Sequence, residues 1–297
     1  MVSRNSAYAR KVEEEARRFF HDAAGVLRRE MGWLEQLRWS AHILNLGTLD
    51  SDPWVGQPYM VLEFMPYGTL DSFVLEMRRR DEYIPNRVFW SFFLCPARAC
   101  AAMAYPPIEP NWAVTNDLRL ETPLQGIQPQ ALAHRDVHTR TARIPTKAEE
   151  VDEDDVENYD DVQNLQDYRS PEGDRNPGID HNILAFGRVM ANALKPGNRL
   201  MQLHECHDAV QDTDVRPDLD GDLRVLVERC LATEPLNRPA IGELVAACYA
   251  AVYTKDSAFY AEEKDGQFET DGYLLLIMQR YLYDADSTQL AGASGAR

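Results

Sequence analysis

The chain holds 297 residues with 44% hydrophobic content, enough to bury one sizeable core and too short for a string of separate modules. Its net charge of −17 repels phosphate backbones, which argues against a nucleic-acid partner, and its five cysteines lack ligand spacing, so neither a disulfide framework nor a zinc site is indicated. No apolar run reaches the roughly 18 residues of a membrane span and residues 1–10 hold no apolar leader, so the expectation is a soluble, intracellular protein, cytoplasmic or nuclear, with reduced thiols and no membrane partner.

Residues 11–37 repeat apolar positions, among them Phe19, Val26, Leu27, Met31, Leu34 and Leu37, between charges at helical spacings, which predicts an amphipathic helix. The apolar runs 44–49 and 59–64, separated by the turn formers Asp50-Ser51-Asp52-Pro53, predict a strand hairpin. The pattern turns helical at 70–79 and again at 86–104, with Pro96 a predicted kink. Pro106, Pro107, Pro110, Pro123 and Pro129 mark 105–130 as an irregular insertion before the short apolar segment 131–133. The stretch 149–161 is acidic almost throughout, which favours a solvated, mobile loop. Helices follow at 179–194, 222–233 and 239–253, and 273–278 predicts a short helix within a C-terminal tail, 256–297. No internal repeat is present. A small strand-bearing part, 1–64, followed by a larger helical part, 65–255, is an α+β plan in two lobes, with a cleft between them as the natural ligand site.

His134-Arg135-Asp136 follows the apolar segment 131–133, where an aspartate at a cleft edge can accept a proton from a substrate hydroxyl. Downstream, in order, stand Tyr168-Arg169-Ser170-Pro171-Glu172, then Asn182-Ile183-Leu184-Ala185-Phe186-Gly187, then Pro235-Leu236-Asn237-Arg238-Pro239. This series resembles the catalytic domain of the eukaryotic protein kinases over roughly residues 7–253, most strongly from 133 to 239. The resemblance implies a two-lobed protein-kinase-like fold with a reduced N-lobe and a mainly helical C-lobe. It also implies a buried ion pair between Glu172 and Arg238, and a side chain at Asn182 accepting hydrogen bonds from the backbone around His134 and Arg135. The family has an aspartate where Asn182 stands, so the acceptor here is uncharged.

Upstream, the run from Tyr59 to Leu70 resembles the kinase strand and hinge. The resemblance then puts Leu62 at the gatekeeper position and gives Glu63 and Met65 the backbone contacts to an adenine ring. Glu30 resembles the glutamate that orients the phosphate-binding lysine, and Lys11, in a worn form of the family's V-A-I-K, is the lysine candidate. Lys11 would neutralise phosphate oxygens, Glu30 would hold it in place, and Asp136 would be the base. The competing reading makes Lys11 a solvated residue of a charged helix.

Several family parts are missing. Residues before Lys11 contain no glycine for a phosphate lid, Thr141 stands where an asparagine helps to hold magnesium, and His138 replaces a lysine. No Asp-Phe-Gly occurs between Thr141 and Ser170; Asp160 and Asp161 are the nearest stand-ins, and no metal ligand is assigned. Phosphoryl transfer rests on positioning and metal-borne charge, so these losses together predict a catalytically impaired domain, a pseudokinase or truncated kinase with weak or no ATP binding, acting on a protein partner as a scaffold. The alternative is an active serine/threonine protein kinase that uses ATP and Mg²⁺ on a protein substrate with Asp136 as base. A third possibility is an unrelated helical binding protein.

Overall fold

The computed structural model describes residues 24–47, 59–64, 67–106, 121–124, 126–134, 176–195, 201–212 and 216–283. Among these the chain is mainly helical, and the predicted hairpin reduces to an antiparallel bridge between Leu46 and Leu62. Its backbone bonds run from Gly47 N–H to the Val61 carbonyl (2.9 Å) and from Glu63 N–H to the Asn45 carbonyl (3.0 Å). Gly47 brings no side chain to a cross-strand pair, which weakens pairing beyond the bridge. Of the expected α+β plan, the described residues show the mainly helical part.

The helices are α1 (24–36), α2 (Leu70–Arg79), α3 (Asn86–Ala104), α4 (Pro177–Leu194), α5 (Leu203–Gln211), α6 (Gly221–Cys230), α7 (Ile241–Thr254) and α8 (Asp271–Met278), the last continuing into a π turn at Gln279–Tyr283. Helices α2 and α3 match their predicted bounds, and α3 runs through Pro96 without ending. Helix α4 starts ahead of its prediction because Asn176 Oδ1 accepts from Gly178 and Ile179 N–H, each at 3.0 Å, while Pro177 fits the first helical position, where no N–H is needed. Helix α5 was not predicted; it buries only Cys206, Ala209 and Val210, too narrow a stripe to stand out in the sequence.

Helix α3 is the central element, packed against α7 and α4, and α4 in turn meets α5 and α6. Phe89, Trp90 and Phe93 fill the first half of α3, each side chain contributing about 1.5–3 kcal/mol by leaving water. The second half is small, with Ala97, Ala101, Ala102 and Ala104 buried, and α7 buries Ala246 and Ala251, so the two packed helices can approach closely. Gly187 serves the same end between α4 and α6, since a Cβ there would lie 2.8 Å from the Cβ of Cys230.

Residues 255–283 pack onto this body. Lys255 Nζ donates to both oxygens of Asp220 (3.0 and 2.8 Å), and the Tyr260 hydroxyl donates to Asp220 at 2.5 Å. Asp220 meanwhile caps α6 by accepting from Asp222 and Leu223 N–H. Glu269 reaches back to the first turn of α3, whose own N-cap, Pro85, offers no side-chain acceptor. Its carboxylate takes Asn86 N–H at 2.6 Å and Arg87 N–H at 3.2 Å. Tyr281 of the π turn then meets Phe73 of α2 edge to face at 5.9 Å.

Candidate functional site

The segment 129–134 is clamped between the end of α3 and the start of α4. Gln130 N–H donates to the Ala104 carbonyl at 2.7 Å, and Asn176 Nδ2 donates to the carbonyls of Pro129 and Gln130 at 3.4 and 3.2 Å. Gly178 makes this possible, because a Cβ there would fall 2.4 Å from the Ala131 backbone. Asn182, 1% exposed in α4, completes the clamp. Its Oδ1 accepts from His134 N–H and its Nδ2 donates to the Leu132 carbonyl, both at 2.9 Å. The backbone leading into His134-Arg135-Asp136 is thus fixed to the helical body by a buried side chain with acceptor and donor both satisfied. Asp136 itself lies outside the described residues.

Arg238 sits below this clamp and is buried. Its guanidinium donates to the carbonyls of Ala232 (2.8 Å), Asp180 (2.8 Å) and Thr233 (3.2 Å), tying the turn after α6 to the first turn of α4. Burial lowers its affinity for the proton, against the pull of the nearby Asp180 charge. The expected partner Glu172 lies outside the described residues.

Of the residues that the sequence puts around a nucleotide, Lys11 and Met65 also lie outside the described residues. Glu30 is exposed on α1. Leu62 is half-buried at the bridge, and Glu63 is exposed, its Oε1 accepting from Asn45 N–H at 2.9 Å. The backbone beside these two residues is pinned to the facing segment. Glu30 is not brought to them by any described contact. Among the described residues no group of three or more histidine, cysteine or acidic side chains is placed to hold a metal ion.

A second cluster, at His42, carries no local signal in the sequence. Its backbone N–H donates to Glu121 Oε1 at 3.0 Å, and its Nδ1 is bonded to Oε2 of the same carboxylate. Glu121 is 3% exposed. Burial alone would strip the His42 proton, but hydrogen bonds to Cys95 and Glu121 outweigh it and raise the imidazole to about 10. Burial alone would likewise raise the Glu121 carboxyl, and the His42 hydrogen bonds hold it below its ordinary value instead. Seventy-nine positions separate the partners, so no local motif could announce them. A separate cleft of about 330 Å³ opens where the tail meets α3 and α6, lined by Tyr83, Asn86, Asp220, Lys255, Tyr260 and Glu269 among others. It is built from groups that already pair with one another and lies away from the segment ending at His134 in both sequence and packing.

No helix among the described residues is long and apolar enough to cross a membrane. No protein-family model matches the chain, and a search of the curated proteins returns no match.

Proposed function

We propose that this chain is a two-lobed protein-kinase-like domain whose phosphoryl transfer is impaired and which acts by holding a protein partner. The observation that carries the reading is the bond from His134 N–H to Asn182 Oδ1, because it joins two of the motifs on which the resemblance rests. Buried Arg238, bonded to the same helix through the Asp180 carbonyl, supports it from the third motif. These bonds stabilise a helical body and fix the backbone up to His134; they transfer no proton.

Impairment follows from positions inside the chain. Thr141 offers a hydroxyl where the family has an amide carbonyl for Mg²⁺, His138 stands in place of a lysine, and no Asp-Phe-Gly lies between Thr141 and Ser170. A reaction that depends on fixed cations and metal-borne charge loses most of its stabilisation with those groups. The test is the thermal midpoint of the purified chain with ATP, with and without Mg²⁺ or Mn²⁺, followed by phosphate transfer to a generic protein substrate. The expected result is no metal-dependent rise and no transfer. A metal-dependent rise, together with transfer that Asp136→Asn abolishes, would establish an active serine/threonine kinase in its place.

A further inference from the structure

Most acidic groups in the cleft between the tail and the helical body are matched in charge, and Glu269 is not. Asp220 is filled by Lys255, the Tyr260 hydroxyl and the N–H groups of α6, and Asp222 shares Lys255. Asp218 takes the Arg216 guanidinium through two nitrogens, at 3.0 and 2.6 Å. Glu269 lines the same cleft and is 1% exposed. Its oxygens take Asn86 N–H (2.6 Å), Arg87 N–H (3.2 Å) and the Tyr83 hydroxyl (3.4 Å), all of them neutral donors. The Arg87 guanidinium is turned to the Glu269 backbone carbonyl and to Asp271, at 2.8 and 2.7 Å. A buried carboxylate without a cation on it is costly, and burial raises the Glu269 carboxyl despite its hydrogen bonds.

The cleft has room for the missing charge. Its volume of about 330 Å³ stands at the lower end of small-ligand pockets. With Asp218, Asp220 and Asp222 matched, the lining retains Glu263, Asp265 and Glu269 against Lys264. Two aromatic rings give it apolar wall: Tyr83, stacked on Phe268 at 5.0 Å, and Phe259, which is 52% exposed. Glu269 Oε2 accepts one hydrogen bond and has a second acceptor position. A compact ammonium fills a single position, whereas a planar guanidinium presents paired donors. We propose that this cleft binds an aliphatic primary ammonium, its head directed to Glu269 and its methylene stem laid along Tyr83 and Phe259. Such a group is supplied by a lysine side chain of another protein or by a free aliphatic diamine. None of the kinase-like motifs enters the site, so it stands or falls apart from the proposed function.

N-acetyl-lysine N-methylamide and cadaverine are the probes, with N-acetyl-norleucine N-methylamide as the uncharged match of the first. Binding to the full chain is measured by isothermal titration calorimetry at pH 7.5. Wild type is expected to bind the lysine compound about tenfold more tightly than the norleucine compound, or more, through a charge-assisted hydrogen bond. Glu269→Gln keeps an acceptor for Asn86 N–H and should bring the two compounds within about threefold of each other. It removes one charge from a chain of net −17, so attraction spread over the surface would survive it. Cadaverine binding more tightly than the lysine compound assigns the site to free diamines, and the reverse order assigns it to a partner's lysine. Equal binding of the lysine and norleucine compounds to wild type overturns the proposal without any variant. Unchanged binding of the lysine compound by folded Glu269→Gln overturns it as well, and neither result bears on ATP binding or phosphate transfer.

Discussion

The Asn182 side chain joins two backbone groups of one segment, taking the His134 N–H on Oδ1 and giving Nδ2 to the Leu132 carbonyl, each at 2.9 Å. A carboxylate could make the first bond and not the second. The amide is therefore matched to this backbone, and the same match explains why an uncharged residue is tolerated at 1% exposure.

Replacing Asn182 tests that match. Asn182→Ala leaves both backbone groups buried and unbonded, and the expected loss is about 1–3 kcal/mol in chemical denaturation. Asn182→Asp keeps the acceptor but sets a buried negative charge against the Leu132 carbonyl, so it too should be less stable at pH 7. Protonation lets the new carboxyl donate to Leu132, which raises its folded pKa. The deficit against wild type should then shrink as pH falls toward 4. An Asn182→Asp variant as stable as wild type at pH 7 would mean that a second backbone N–H, and not the Leu132 carbonyl, faces the side chain.

Lys255 neutralises Asp220, whose side chain is only 3% exposed. Burial works to raise the Asp220 carboxyl, and the hydrogen bonds from Lys255 and Tyr260 win and hold it below its ordinary value. Lys255→Met should cost about 3–5 kcal/mol at neutral pH, because it strands a buried carboxylate. A group lowered on folding contributes stability above its unfolded value, 3.8, and loses it as pH falls through the folded one. The gap between wild type and Lys255→Met, read from urea midpoints, should accordingly be wide at pH 7 and narrow in acid. The neighbouring Asp222, 79% exposed, should matter little when changed to Asn.

Glu269 carries the opposite sign. Burial raises its carboxyl despite the N–H bonds from Asn86 and Arg87. Its ionisation therefore costs stability, and the folded state loses ground as pH rises past the unfolded value of 4.5. Glu269→Gln keeps an acceptor for Asn86 N–H and should lie within about 1 kcal/mol of wild type at pH 7, improving relative to it as pH rises from 4.5. Glu269→Ala removes the cap of α3 and should cost about 1–3 kcal/mol in the same titration.

What the sequence made legible was local. The 3.6-residue pattern located α2 and α3 to the residue, and the kinase-like motifs anticipated that Asn182 would accept from the His134 backbone. Its donor half, toward Leu132, depends on the path of the backbone and left no mark in the motif. Of the hairpin expected at 44–49 and 59–64, the described residues show one bridge, since apolar runs report a strand's preference and not the partner that would extend it. Long-range polar contacts were illegible for a plainer reason. Glu269 caps a helix that begins 183 positions earlier, and His42 meets Glu121 across 79, so no window of sequence contains both members. Lys11, Met65, Asp136 and Glu172 remain expectations of the sequence alone.

The His42 and Glu121 pair makes the last prediction, on pH. His42 is raised from 6.5 to about 10, so between those values the folded chain keeps a proton that the unfolded chain has released. Stability from this group is complete below 6.5 and is lost as pH rises through about 10. Glu121, lowered from 4.5, contributes above that value and loses its share as pH falls through its folded one. The pair should thus stabilise most between about 4.5 and 6.5, the interval in which the unfolded carboxyl has ionised and the unfolded imidazole is still charged. Thermal midpoints of wild type and His42→Gln, taken every half unit from pH 4 to 10, should differ most in that interval and converge on the alkaline side. A difference that is flat across the range would mean that His42 is neutral in the fold and holds Glu121 by shape alone.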